Sequence, residues 1–141
     1  MADQDRKTLV LEVCALDRAP ARLDVTEVTV PGVMGIFIVL PGHAPLLSNL
    51  DIGPLIAVLP DGGRTSFALN GGFAQVLDDR VLILSKTVEG EADIDTERAE
   101  RALQRAEERL KTPSESIDVA RAEVALKRAL TRLRVAGKGP A

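Results

Sequence analysis

The side chains best placed to act together chemically are two groups of arginines in the last third of the chain. Each group falls on one face of a predicted helix: Arg98, Arg101, Arg105 and Arg109, then Arg121, Arg128 and Arg132. If the two faces converge, their guanidinium groups offer paired hydrogen-bond donors of the kind that bind a polyphosphate. The alternative is two solvated faces with ion pairs at i, i+4 spacing, such as Glu97–Arg101 and Glu123–Lys127. The spacing alone favours this alternative.

The other residues of chemical interest are isolated from one another in the sequence. His43 is the single histidine and stands in a Pro/Gly turn without a neighbouring Cys, Ser or His, which favours a structural or surface role over catalysis. Asn70-Gly71-Gly72-Phe73 lacks the Lys of a phosphate-binding loop, so its glycines mark a tight turn or a close strand approach. Cys14 is the single cysteine and is expected to be a small buried side chain. An enzyme is therefore the least favoured class.

Length and composition limit the fold to one compact domain, or to a small domain with an appendage. The chain has 141 residues and a formal net charge of −3, and 45% of its residues are hydrophobic. It is too short for a TIM barrel, and its mild acidity argues against a nucleic-acid partner. Three Phe, no Trp and no Tyr predict an aliphatic core. No apolar run approaches the ~18 residues of a membrane span.

The part of the chain before Glu89 is predicted to form strands. It holds 8 of the 11 Gly, 6 of the 8 Pro and all 3 Phe. The predicted strands lie at about residues 8–14, 24–30, 35–40, 52–59, 64–69, 72–77 and 80–86, with turns at Asp61-Gly62-Gly63 and Asp78-Asp79. Short strands joined by tight turns, without helices between them, predict antiparallel pairing in a sandwich or barrel.

The part from Glu89 onwards is predicted to form two helices. Residues 94–110 recur as residues 117–133, with 11 of 17 positions identical. Asp95 and Asp118 stand where helix N-caps are expected, and Thr112-Pro113-Ser114 breaks the helical pattern between the copies.

The two helices are predicted to pack as an antiparallel hairpin through alanine-rich stripes. The stripes are Ala99, Leu103, Ala106 and Leu110, and Ala122, Leu126, Ala129 and Leu133. Because alanine buries little area, this seam is weak and the hairpin is expected to open or re-dock. The predicted fold class is α+β, with an N-terminal antiparallel β-sandwich over residues 1–88 and a C-terminal helical hairpin over residues 89–141.

Four sequence segments together resemble the epsilon subunits of bacterial F-type ATP synthases. They are Gly35–Leu47 (GIFIVLPGHAPLL), Asn70–Phe73 (NGGF), Val81–Leu84 (VLIL) and Ile94–Ala99 (IDTERA). The resemblance covers residues 8–136. It implies a non-catalytic subunit of the central stalk, which couples proton-driven rotation to ATP synthesis and inhibits ATP hydrolysis through a mobile hairpin.

The resemblance also implies partners and a location. The partners would be the gamma subunit, the ring of c subunits and the alpha/beta head, where acidic beta-subunit segments suit the basic last helix. The chain would lie on the cytoplasmic face of the bacterial inner membrane and touch the membrane only through the complex. Ile36 and His43 are the expected c-ring contacts, and Ile36 stands where the family often has an acidic residue.

The family's regulatory ATP site is the last feature that the resemblance implies. Its positions are all filled here: Glu89, Asp95, Arg98, Arg105, Arg128 and Arg132. No cofactor or metal is required, and ATP would act as a sensed ligand that holds the hairpin folded. The alternative function is a stand-alone nucleotide-binding module without a rotor.

Overall fold

Strands fill the first two thirds of the chain, and two helices follow. The structure is a computed structural model that describes residues 7–112 and 118–137. Its strands are β1 (Leu9–Ala15), β2 (Arg18–Val25), β3 (Glu27–Gly32), β4 (Gly35–Val39), β5 (Leu46–Val58), β6 (Arg64–Leu77), β7 (Arg80–Ser85) and β8 (Val88–Gly90). A short 3₁₀ turn, the linker turn (Glu91–Asp93), leads to α1 (Thr96–Lys111) and α2 (Val119–Val135).

The strands form one hydrogen-bonded sheet that folds over a single core. The order is β2-β1-β7-β6-β5-β3-β4, and β8 pairs with β6. Side chains from β1 and from β4, which lie far apart in this order, nevertheless belong to the same buried cluster. The sheet therefore encloses its core as a sandwich, which confirms the predicted fold class. Leu9, Leu55 and Ile83 are among its largest fully buried side chains, so its centre is aliphatic as predicted.

One strand pair differs from the predicted antiparallel arrangement. β1 pairs with β7 in parallel, from Val10 opposite Arg80 to Ala15 opposite Ser85. The other strand pairs among the described residues are antiparallel. Parallel neighbours need a long crossover connection, and here all of β2–β6 supplies it. Local turn signals do not reveal such a pair because its two strands are distant in the sequence.

Several predicted strand limits are wrong, and each has a local cause. The predicted strand 24–30 spans a break at Thr26, between β2 and β3. β2 begins at Arg18, and its exposed polar residues are tolerated because it is an edge strand of the sheet. β5 begins at Leu46 rather than 52.

The strands predicted at 64–69 and 72–77 are one strand, β6. Gly71 and Gly72 have φ values of 76° and 112°, which let the strand bend without ending. A Cβ at Gly72 would lie 1.9 Å from the Leu84 carbonyl oxygen, so the predicted close strand approach is confirmed.

A buried serine replaces backbone pairing where β7 ends and β8 begins. The Ser85 hydroxyl accepts a hydrogen bond from the Asn70 amide at 3.1 Å and lies 2.6 Å from the Gly71 carbonyl oxygen, to which it donates. β8 then resumes pairing with β6, with Glu89 opposite Ala68. The predicted division at residue 88/89 therefore falls inside a strand, and Glu89 is carried by the sheet.

The helical hairpin has the predicted caps and the predicted alanine seam. The carboxylates of Asp95 and Asp118 each accept a hydrogen bond, at 3.1 Å, from the amide three residues later. Ala99, Ala106 and Ala129 are buried between the helices or beneath them. α1 ends before Thr112, as predicted, and the remainder of the predicted break at 113–114 lies outside the described residues.

The hairpin lies on the sandwich through its second helix. α2 packs on β5 and β6, and α1 packs on α2. Thr131, Leu133 and Val135 on α2 are buried by this arrangement. In the part of the chain that is described, neither helix combines the length and the apolar composition that crossing a membrane requires.

Candidate nucleotide pocket at the base of the hairpin

A surface pocket of about 270 Å³ lies where β8, the linker turn and both helices meet. We call it the hairpin-base pocket, and its lining residues are Glu89, Asp93, Asp95, Arg98, Ala99 and Arg132. Four of the six residues predicted to bind ATP therefore converge: Glu89, Asp95, Arg98 and Arg132. They come from the sandwich and from both helices, so the two parts of the chain form the pocket together.

Each pocket side chain is positioned by the element that carries it. Strand pairing with β6 fixes Glu89. Asp95 is fixed as the N-cap of α1, because its carboxylate accepts the Arg98 amide proton. Arg98 therefore lies in the first turn of α1, and Arg132 lies near the end of α2.

Glu89 and Arg132 form the closest ion pair across the sandwich–hairpin junction. Arg132 donates from Nε to Glu89 Oε1 at 2.8 Å, and its Nη2 lies 2.7 Å from the same oxygen. The side chains retain 29% and 37% exposure. Two charge-assisted contacts at partial burial make this pair stronger than an ordinary surface ion pair.

The carboxylates of the pocket are engaged, whereas one arginine is not. Glu89 pairs with Arg132, Asp93 with Arg18 at 3.3 Å, and Asp95 caps α1. Among the described residues, the Arg98 guanidinium has no ion pair or hydrogen-bond partner. It is therefore available to an incoming anion.

The predicted residues Arg105 and Arg128 lie outside this pocket. Arg105 is exposed on α1, seven residues or about 10 Å along the helix from Arg98. Arg128 lies in an adjoining cleft that Glu89 and Arg132 also line, and its Nε donates to the Asn70 side-chain oxygen at 3.0 Å.

A second ion pair holds α2 to the sheet. Lys127 lies 3.0 Å from Asp51 on β5, so the predicted Glu123–Lys127 pair is wrong. Lys127 donates to the Asp51 carboxylate and lowers its pKa below 3.8, and a hydrogen bond from the Ile52 amide lowers the pKa further, against the opposing effect of burial. The predicted Glu97–Arg101 pair is confirmed, at 4.0 Å.

Sequence reasoning did not identify Asp51, Asp93 or Arg18 as contributors to this junction. Asp51 and Lys127 are 76 positions apart, and Arg18 and Asp93 are 75 apart. No local pattern links residues at such separations. Asn70 was singled out only as part of a glycine turn.

Of the two predicted ring contacts, Ile36 lies near the start of β4, and His43 lies in the turn that follows β4. Ile36 follows the exposed turn at Val33–Met34 and is itself 75% exposed. His43 lies in a turn closed by its own amide on the Leu40 carbonyl oxygen. The structure does not bring the two side chains together.

The chain is a β-sandwich that carries a docked two-helix hairpin, and a charged pocket lies between the two parts. This architecture defines the class of protein. The beta-sandwich domain of the ATP synthase delta/epsilon chain matches residues 8–91, and the long alpha-helix domain of the same chain matches residues 92–137. The chain therefore belongs to the ATP synthase delta/epsilon family, among the epsilon chains of F-type ATP synthases.

Similar proteins carry the same description. The ATP synthase epsilon chain of Carboxydothermus hydrogenoformans is 45% identical over 115 residues, which cover 80% of this chain and 82% of that one. The epsilon chain of Solibacter usitatus is 42% identical over 107 residues, covering 76% and 79%. That of Trichlorobacter lovleyi is 52% identical over 87 residues, which are 62% of each chain.

Two solved structures share the fold. A chain in the cryo-EM structure of the Euglena gracilis mitochondrial ATP synthase (OSCP/F1/c-ring, rotational state 1) superposes with a TM-score of 0.77 at 26% identity, covering 92% of this chain and 81% of that one. A chain in the central stalk/c-ring structure of the Tetrahymena thermophila mitochondrial ATP synthase has a TM-score of 0.53, covering 94% and 96%. Its 17% identity shows the fold alone.

Proposed function

We propose that this chain is a rotor subunit of the central stalk of a bacterial F-type ATP synthase. It couples proton-driven rotation to ATP synthesis and performs no chemistry itself. Its partners are the gamma subunit, the c-ring and the alpha/beta head, and it lies on the cytoplasmic face of the inner membrane. Family membership and the assemblies that contain its structural relatives support this proposal.

The helical hairpin is the regulatory part of the proposed subunit. It docks on the sandwich through α2, whose polar contacts are Lys127–Asp51, Arg128–Asn70 and Arg132–Glu89. Partly exposed polar contacts contribute little net stability, and the alanine seam adds little buried area. A two-state element of this kind moves between a docked form and an extended form that inhibits ATP hydrolysis.

ATP is the proposed ligand that controls this equilibrium. The observation that carries the proposal is the convergence of Glu89, Asp95, Arg98 and Arg132 in the hairpin-base pocket. Arg132 uses two of its donor groups on Glu89 and keeps others for phosphate oxygens. Because the pocket needs the docked hairpin, ATP at ~100 times its Kd would stabilise that form by about 2.7 kcal/mol.

Ile36 is the proposed point of contact with the c-ring. Together with Val33 and Met34, it presents apolar side chains at the β3–β4 turn, where Met34 is 98% exposed. His43, in the turn after β4, stays a predicted ring contact. The proposal also divides the chain into a sandwich and a helical hairpin, and the hairpin moves as a unit.

Calorimetric titration of ATP into the full chain tests the nucleotide proposal. Saturable binding is expected, together with its loss in Arg98→Ala and Arg132→Ala. Arg109→Ala is the matched control, since it removes an exposed arginine of α1 outside the pocket. No binding at millimolar ATP would contradict the sensor. Co-purification with a gamma subunit separates the rotor subunit from the stand-alone nucleotide-binding module.

A further inference from the structure

A side chain from the start of β2 contacts the hinge between the sandwich and the hairpin, which comprises the end of β8 and the linker turn. Arg18 follows the β1–β2 turn and pairs with Ala15. The β1–β2 register shifts by one residue between Val13 and Ala15. Such irregularities redirect the side chains beside them. Here the side chain of Arg18 reaches across to the end of β8 and the linker turn.

One nitrogen of Arg18 contacts both sides of the hinge. Its Nη1 donates to the Val88 carbonyl oxygen at 3.0 Å and lies 3.3 Å from Asp93 Oδ2. The same Oδ2 accepts the Gly90 amide proton at 3.2 Å. Val88 and Gly90 are the ends of β8, and Asp93 ends the linker turn. A single guanidinium therefore joins the last strand of the sandwich to the segment that leads into α1.

The contact also affects the charge of the hairpin-base pocket. Asp93 is a lining residue of that pocket. Without Arg18, the Asp93 carboxylate would repel an incoming anion or pair with Arg98, which lines the same pocket. Arg18 thus acts on the hinge geometry and on the pocket's affinity for anions, although it lies outside the hairpin.

We propose that Arg18 is a positioning residue that latches the hairpin in its docked form by holding Asp93 and Val88. The inference rests on the proposed mobile hairpin and deepens it. The latch makes the β1–β2 turn part of the switch, and this exposed turn is a place where a neighbouring subunit could act on the hairpin. Breaking the latch shifts the chain towards the undocked form and weakens ATP binding.

Two measurements on Arg18→Gln test the latch. Proton exchange of the Gly90 amide, followed by NMR, reports on the hinge. Docking is followed by the labelling rate of a thiol introduced by Thr131→Cys, in a chain that also carries Cys14→Ser. Thr131 is suited to this because it lies on the buried face of α2 and is 5% exposed. Both rates are expected to rise about two- to fivefold, the range for a partly exposed ion pair.

Arg22→Gln is the matched control, because Arg22 is also a β2 arginine but pairs weakly with Glu12 at 3.9 Å. It should leave both rates unchanged. Asp93→Asn, which keeps an acceptor but removes the charge, should give a smaller rise than Arg18→Gln. This graded response is not expected from simple unfolding.

The outcomes separate the latch from the proposed function. Faster labelling in Glu89→Gln but not in Arg18→Gln would overturn the latch and leave the mobile hairpin intact. Faster exchange at Gly90 with unchanged thiol labelling would overturn it as well, since Arg18 would then order only the hinge. A third outcome is that Arg18→Gln speeds thiol labelling, whereas ATP does not slow labelling in the Thr131→Cys, Cys14→Ser chain that keeps Arg18. The latch would then stand and the nucleotide proposal would fail.

Discussion

Removing the charge of Glu89 should lower the ratio of docked to undocked hairpin. The geometry of the Glu89–Arg132 pair sets the size of this effect. Glu89→Gln keeps the shape and one acceptor oxygen but removes the charge that faces Arg132 at 2.7–2.8 Å. Fully buried charge-assisted hydrogen bonds contribute ~1.5–3 kcal/mol, and exposed ion pairs at most ~1 kcal/mol. With both side chains about one-third exposed, we expect a loss of about 1 kcal/mol, which lowers the ratio of docked to undocked hairpin about fivefold.

The assay is the labelling rate of the thiol introduced by Thr131→Cys, with Cys14→Ser to remove the native thiol. When closing is faster than labelling, this rate is proportional to the undocked population, so a fivefold rise is expected. Glu91→Gln is the control, because Glu91 is an exposed carboxylate two positions away, outside the hairpin-base pocket. A change of less than twofold in Glu89→Gln, or an equal change in Glu91→Gln, would refute the assignment of docking energy to the Glu89–Arg132 pair.

Four further substitutions test other parts of the structure. Because the Lys127 side chain lowers the pKa of Asp51, the stability from their contact is present while Asp51 is ionised and is lost as pH falls through the lowered pKa. NMR titration of the carboxyl carbon should show this, and Lys127→Met should raise the pKa. Gly72→Ala should cost about 3 kcal/mol in the urea-derived free energy of unfolding, because the new Cβ would meet backbone at 1.9 Å. Gly62→Ala, with a φ of 90° but open space, should cost about 1–2 kcal/mol. Asp95→Ala should cost about 1 kcal/mol and reduce the helical signal in circular dichroism, since it removes the α1 cap.

The helical part of the fold could be predicted from the sequence because its determinants are local. A capping residue acts within three positions, and an apolar stripe repeats every three to four. Asp95 and Asp118 therefore marked both helix starts, and the buried alanines marked the seam. These signals stay within one element, so they can be recognised without knowing how the rest of the chain folds.

The sequence predicted a β-sandwich but not which strands pair in it, because strand pairing joins residues that are distant in the sequence. The turn at Asp78-Asp79 was visible, and both residues have the positive φ that a tight hairpin needs. The parallel partner of β1 was not visible, since it lies some 70 positions away. Polar edge strand β2 was also missed, because alternation of apolar and polar residues is weak where only one neighbour pairs.

The candidate site shows the same division between local and long-range information. Spacing alone placed Arg98 and Arg132 on helix faces, but it could not show that Glu89 on a strand meets Arg132, 43 positions later. The family resemblance supplied that grouping. It did not supply Arg18 or Asp51, because these lie outside the motifs that carry the resemblance.

Two arginines of α2, Arg132 in the hairpin-base pocket and Arg128 in the adjoining cleft, would have different partners in the two states of the proposed switch. In the docked form Arg128 and Arg132 are held by Asn70 and Glu89, so undocking releases two guanidinium groups at once. Released cations on the last helix would suit an acidic partner surface, whereas a bound polyphosphate would keep them where they are. In the proposed switch, the internal acceptors Asn70 and Glu89, a nucleotide and a partner surface would therefore compete for the same two arginines. Because each internal contact is only partly buried, its loss costs little, and a ligand would shift the equilibrium by as much as its affinities for the two forms differ.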